Sequence, residues 1–129
     1  MVARLLTALL LGVIAPGAMA ADCDAVHNGA VVSGQALLGS EAGKVTVGEG
    51  RVPFYSAPND ECPTKGVFVL SGELLIATWA SGDFTYVHYQ NTRTGRETEG
   101  WVHSSRLKWT GYGVTDDVME RYAPVGRFE

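Results

Sequence analysis

Long apolar runs are scarce in this chain of 129 residues, and so are cysteine, histidine and positive charge. The longest uncharged apolar run, Leu5 to Ile14, falls well short of the ~20 residues a membrane-spanning helix needs. Nothing after it is apolar enough to span either. Cysteine occurs twice, at Cys23 and Cys62, without a Cys-x-x-Cys spacing, which argues against thiol redox chemistry or a cysteine-built metal site. The formal net charge is −4, which disfavours nucleic acid and anionic membrane surfaces as partners. The glycines are isolated, so no phosphate-cradling loop is present. No stretch beyond residue 20 argues for a core helix.

What is present begins with a secretory layout. Arg4 supplies a positive n-region, Leu5 to Ile14 the apolar run, Pro16-Gly17 a helix break, and Ala18-Met19-Ala20 a small-residue cleavage motif. Cleavage is expected before Ala21, giving an exported chain, periplasmic or secreted. Arg4 is the one charged residue removed, so the net charge becomes −5. Asp22 before Cys23 is a poor context for lipid attachment. In an oxidising compartment the two cysteines are expected to pair with each other, Cys23 with Cys62.

Residues 21–50 are glycine-rich and read as a loosely ordered extension, pinned by Cys23, with His27 solvated. Only Lys44-Val45-Thr46-Val47 in it has strand character. Phe54-Tyr55 suits a strand, and Pro58-Asn59-Asp60 is turn chemistry. Gly66 to Leu70, Leu74 to Trp79, Phe84 to Tyr89 and the stretch into Trp101-Val102 follow as short strands, with turns about every 8–12 residues. The composition predicts an all-β fold. Asp116 to Tyr122 has the make-up of a helical turn or two within a tail that runs from 109 to 129.

Gly100-Trp101-Val102-His103-Ser104-Ser105-Arg106-Leu107, closing this run of strands, resembles the last strand of a bacterial Src-homology-3-like (SH3-like) domain. Arg51 to Asp60 resembles the opening motif of the same family, with Phe54, Tyr55 and Ala57 departing from its usual residues. The resemblance covers about residues 51–108. It implies a small SH3-like β-barrel of about five short strands, preceded by the Gly-rich extension and followed by a short C-terminal tail.

A hairpin turn centred on Thr94-Gly95 sets Val87 opposite Val102 and Tyr89 opposite Gly100 on one face. On the other, Tyr86 faces His103 and His88 faces Trp101, with Phe84 alongside. The valine face is the natural core. Two readings of the aromatic face stand side by side. Cross-strand aromatics pack a sheet, and half-exposed aromatics bind peptides and sugars. Ligand grooves of SH3-like folds are lined by such residues, so the resemblance adds Tyr55 and Trp79 to Tyr86, His88, Trp101 and His103 as candidate ligand-binding residues.

Catalysis finds little footing. His88 and His103 lack a third metal ligand, and Ser104 and Ser105 beside His103 lack an elbow motif. Asp116-Asp117 and Glu97/Glu99 lie in charged segments where unshifted carboxylates are expected. The expectation is a non-enzyme without metal or cofactor. The resemblance implies a binding module of the bacterial envelope that recognises peptidoglycan or a peptide. The alternative is a periplasmic inhibitor or immunity protein of a cell-wall hydrolase, whose basic cleft an acidic chain would suit. A scaffold subunit is a third possibility.

Overall fold

The computed structural model describes residues 21–128, so the secretory reading of Met1–Ala20 lies outside the described residues. The described chain opens with a helix, α1 (Cys23–Ser33). Asp22 caps it, its carboxylate accepting from Ala25 N at 3.1 Å, which satisfies a donor that every helix start leaves free. Gly34 turns to extended backbone at its end, its N–H donating to Ala30 O at 2.8 Å. Only glycine fits there, because a Cβ would lie 2.6 Å from the carbonyl oxygens of both Ala30 and Ala80.

This helix corrects the expectation of a loosely ordered extension. Most of the glycines that argued against it fall after Ser33. Gly29 is the one within the helix, and its cost of about 1 kcal/mol is offset by the cap and by burial of His27 and Ala30. His27, expected to be solvated, is fully buried.

Eight strands follow: β1 (Gln35–Ala36), β2 (Gly43–Thr46), β3 (Val52–Tyr55), β4 (Pro63–Val69), β5 (Leu74–Ser81), β6 (Phe84–Gln90), β7 (Glu97–His103) and β8 (Leu107–Trp109). A second short helix, α2 (Asp116–Arg121), comes after them. The strands form an antiparallel sheet in the order β4-β3-β7-β6-β5-β2-β8, with β1 beside β2 on one edge of β5. The sheet curls into a half-barrel. Eight strands replace the five expected, because β1 and β2 are drawn from the extension and pair with β5, and β8 follows β7 and pairs with β2. The stretches read as strands around Phe54, Val67, Ile76, Val87 and Trp101 are β3 to β7.

β6 and β7 pair Tyr86 with Trp101, Val87 with Gly100 and Phe84 with His103. This is two residues away from the expected register, because the turn centres one residue earlier, between Arg93 and Thr94. Asn91 N donates to Arg96 O at 2.8 Å, and the Asn91 side-chain oxygen accepts from Arg93 N at 2.9 Å and Thr94 N at 3.2 Å. A slide of two leaves every side chain on its expected face. Val87 and Val102 accordingly join Val52, Phe54, Val69, Leu75 and Ala77 in one core. Phe84, Tyr86 and Trp101 form a second on the other face, with Ala30 of α1. Gly100 is where β3 crosses close to β7, since a Cβ would meet Phe54 Cδ2 and Tyr55 O at 3.1 Å.

Cys23 and Cys62 are disulfide-bonded with Cα atoms 5.8 Å apart, tying the first residue of α1 to the loop before β4. Among the described residues no helix is long and apolar enough to cross a membrane. Replacing both cysteines by serine should lower the unfolding free energy by about 2–4 kcal/mol, read from urea titration of the chain from Ala21 onward. An unchanged midpoint would show that the staple contributes nothing.

Candidate functional site

The candidate ligand face divides into a covered part and an open end. Trp101 and Tyr86 are buried beneath α1. The Trp101 indole donates to His27 Nδ1 at 3.0 Å. That bond fixes the tautomer with the proton on Nε2, which donates to Val125 O at 2.8 Å. Trp79 is half-buried at the margin of the same cluster, its indole donating to Ala30 O at 3.1 Å. The helix and the segment after α2 thus roof the aromatic face.

The buried groups are satisfied or stacked. Tyr86 donates to Glu99 Oε2 at 3.0 Å. Burial, aided by the Glu99 carboxylate, pushes the Tyr86 hydroxyl well above its ordinary value, so it remains a donor. His88 is buried and stacks on Tyr122, with ring centroids 3.7 Å apart. Glu97 Oε1 lies 3.0 Å from His88 Nε2 without the alignment of a hydrogen bond. Trp101, Tyr86 and His88 are therefore core side chains, so at these positions the packing reading of the aromatic face holds. The physical reason is cover: α1 lies over Trp101 and Tyr86, and Tyr122, after α2, lies on His88.

At the far end the ladder emerges. Tyr55 and His103 are partly exposed, and with Val52, Pro53, Ser105 and Arg106 they line a cleft of about 420 Å³. β3 brings Tyr55 beside Trp101, and the last residue of β7 presents His103. The His103 ring is 4.3 Å from Phe84 and 5.3 Å from Tyr55, centroid to centroid. Its Nε2 lies 2.7 Å from Asp60 Oδ1, and 32 % of its side chain stays exposed. Of the six expected ligand-binding residues, these two share the open cleft, Trp79 stands apart at the roof's edge, and Tyr86, His88 and Trp101 lie beneath cover.

Asp60 and Arg106 were not expected at the site. Asp60 sat in a stretch legible only as a turn. Arg106 is a structural residue: its Nε donates to Val47 O at 2.7 Å, and its Nη atoms to Arg51 O and Glu49 O, each at 3.0 Å. With its donors turned onto the 47–51 loop, it braces the cleft wall. No hydroxyl among the described residues hydrogen-bonds His103, so the cleft offers aromatic edges and a histidine–carboxylate pair without an aligned nucleophile. Among the described residues no cluster of His, Cys, Asp or Glu is placed to hold a metal ion.

No protein-family model, no curated protein and no solved structure matches the chain.

His27 makes the roof sensitive to pH. Burial holds its pKa below the ordinary 6.5, against the raising effect of its bond to the Val125 carbonyl. Below pH 6.5 the unfolded chain binds a proton that the folded chain resists, so stability is full above 6.5 and falls as pH drops toward the folded-state value. Urea midpoints should therefore decline from about pH 6.5 downward, and less so in His27→Ala, which is weaker throughout. An equal decline in both proteins would remove His27 as the cause.

Proposed function

We propose that this chain is a non-catalytic, exported binding module of the bacterial envelope. Its ligand is a peptide or glycan strand of the cell wall, taken in the Tyr55–His103 cleft. The observation that carries this reading is the cleft itself, where the aromatic face is left uncovered. Its volume of about 420 Å³ lies within the roughly 300–1,000 Å³ usual for small-molecule sites.

Tyr55 and Pro53 supply apolar surface for a sugar face or a peptide side chain, at low entropic cost because both are stiff. His103 and Asp60 supply hydrogen-bonding groups at the rim, and the exposed Asp60 carboxylate favours an amine-bearing ligand. The disulfide and the secretory layout of Met1–Ala20 support an oxidising compartment. The curled half-barrel fits a small β-barrel fold.

The test is co-sedimentation of the mature, oxidised protein with purified cell-wall sacculi. Wild type should pellet, His103→Ala should lose about tenfold in affinity, and Trp109→Ala, an exposed aromatic outside the cleft, should pellet like wild type. Failure of wild type to pellet at low salt would overturn the wall-binding reading. The inhibitor alternative would then be tested by stoichiometric loss of wall-hydrolase activity on mixing.

A further inference from the structure

A second site lies on α1, away from the cleft, and it is filled by the chain's own residues. The stretch after α2 runs along the helix and is gripped chiefly through its main chain. His27 Nε2 donates to Val125 O at 2.8 Å. Asn28 makes a matched pair, Nδ2 donating to Arg127 O at 2.7 Å and Oδ1 accepting from Arg127 N at 2.6 Å. This is the two-bond pattern that one strand residue offers a neighbour across a ladder. Asp24 Oδ1 then lies 3.4 Å from Arg127 Nη1.

The gripped residues contribute little apolar burial of their own. Val125 is 74 % exposed and Phe128 98 %. Helix α1 therefore selects an irregular backbone stretch with one positive charge, and of the neighbouring side chains Pro124 is buried while Val125 and Phe128 are exposed. Recognition through main-chain hydrogen bonds plus one selected side chain is how proteins bind peptide segments.

We propose that Asp24, His27 and Asn28 form a peptide-binding site for a segment carrying arginine, occupied in cis by Val125–Arg127. A tethered occupant sits at an effective concentration of order millimolar, so it excludes weak competitors and yields to a segment that binds better. The site thus carries its own gate. A second copy of this chain, which carries the same segment that fits the site in cis, supplies the ligand in trans.

The test uses a fluorescent peptide with the sequence of residues 122–128, blocked at both ends, titrated into the full mature protein. Arg127→Pro removes the amide that Asn28 accepts from and the charge that Asp24 meets, while leaving the three site residues in place. It should bind the peptide about tenfold or more tightly than wild type, and adding Asn28→Ala should abolish the gain. Arg127→Glu, which keeps the backbone and reverses the charge, serves if the proline variant loses its near-ultraviolet circular dichroism. Peptide affinity equal in wild type and in a folded Arg127 variant would overturn the proposal. Sedimentation tests the source: dimers that require Arg127 are expected, and a protein that binds the peptide yet stays monomeric at high concentration would overturn the second copy as ligand.

Discussion

The buried indole N–H of Trp101 needs an acceptor, and the way that need is met joins the separate parts of the molecule. Trp101 has no exposed surface, and a buried donor left unpaired costs about 1–3 kcal/mol. The acceptor is His27 Nδ1, from a helix 74 residues away in sequence. Once that bond fixes the imidazole tautomer, the opposite nitrogen becomes a buried donor in turn, and Val125 O receives it. One unsatisfied group on the central sheet thereby recruits the first helix, and the helix recruits the last segment. The disulfide and the Trp79–Ala30 bond hold the same helix at its two ends.

This arrangement decides what the aromatic face can do. Where α1 lies across it, the aromatics are core. Where the cover stops, Tyr55 and His103 remain at the lip of a cleft, backed by buried Phe84, whose ring meets Tyr55 edge-on at 5.2 Å and His103 at a shallow tilt at 4.3 Å. Packing and recognition are therefore two ends of one ladder. The packed end fixes the rotamers of the open one, so a ligand entering the cleft meets a surface with little freedom to lose.

The sequence made the strands legible and the roof illegible, for reasons that differ residue by residue. β5 and β6 are short apolar runs bounded by Ser71-Gly72, Ser81-Gly82-Asp83 and a polar turn, and such boundaries are local chemistry. Alternation placed Val87 and Val102 on one face and Tyr86 and Trp101 on the other correctly, even though the register itself was two residues off. That slip came with the Asn91 side chain, whose bonds to Arg93 N and Thr94 N hold a turn centred one residue earlier than expected. Helix α1 was obscured by the glycines that follow it. His27 was beyond reach because its partners lie 74 and 98 residues away, and no local pattern marks a histidine as the link between them. The pairing of Cys23 with Cys62 was readable from their number and the secretory context alone.

Hydrogen exchange at the Trp101 indole N–H tests this account most directly, followed by nuclear magnetic resonance beside the indole of the more exposed Trp109. If the His27 bond organises the roof, the Trp101 proton exchanges only when the whole molecule unfolds, and its protection tracks global stability through a urea series. Exchange as fast as that of Trp109, under conditions where the sheet amides stay protected, would mean that the helix lifts off independently and that the aromatic face is open in solution.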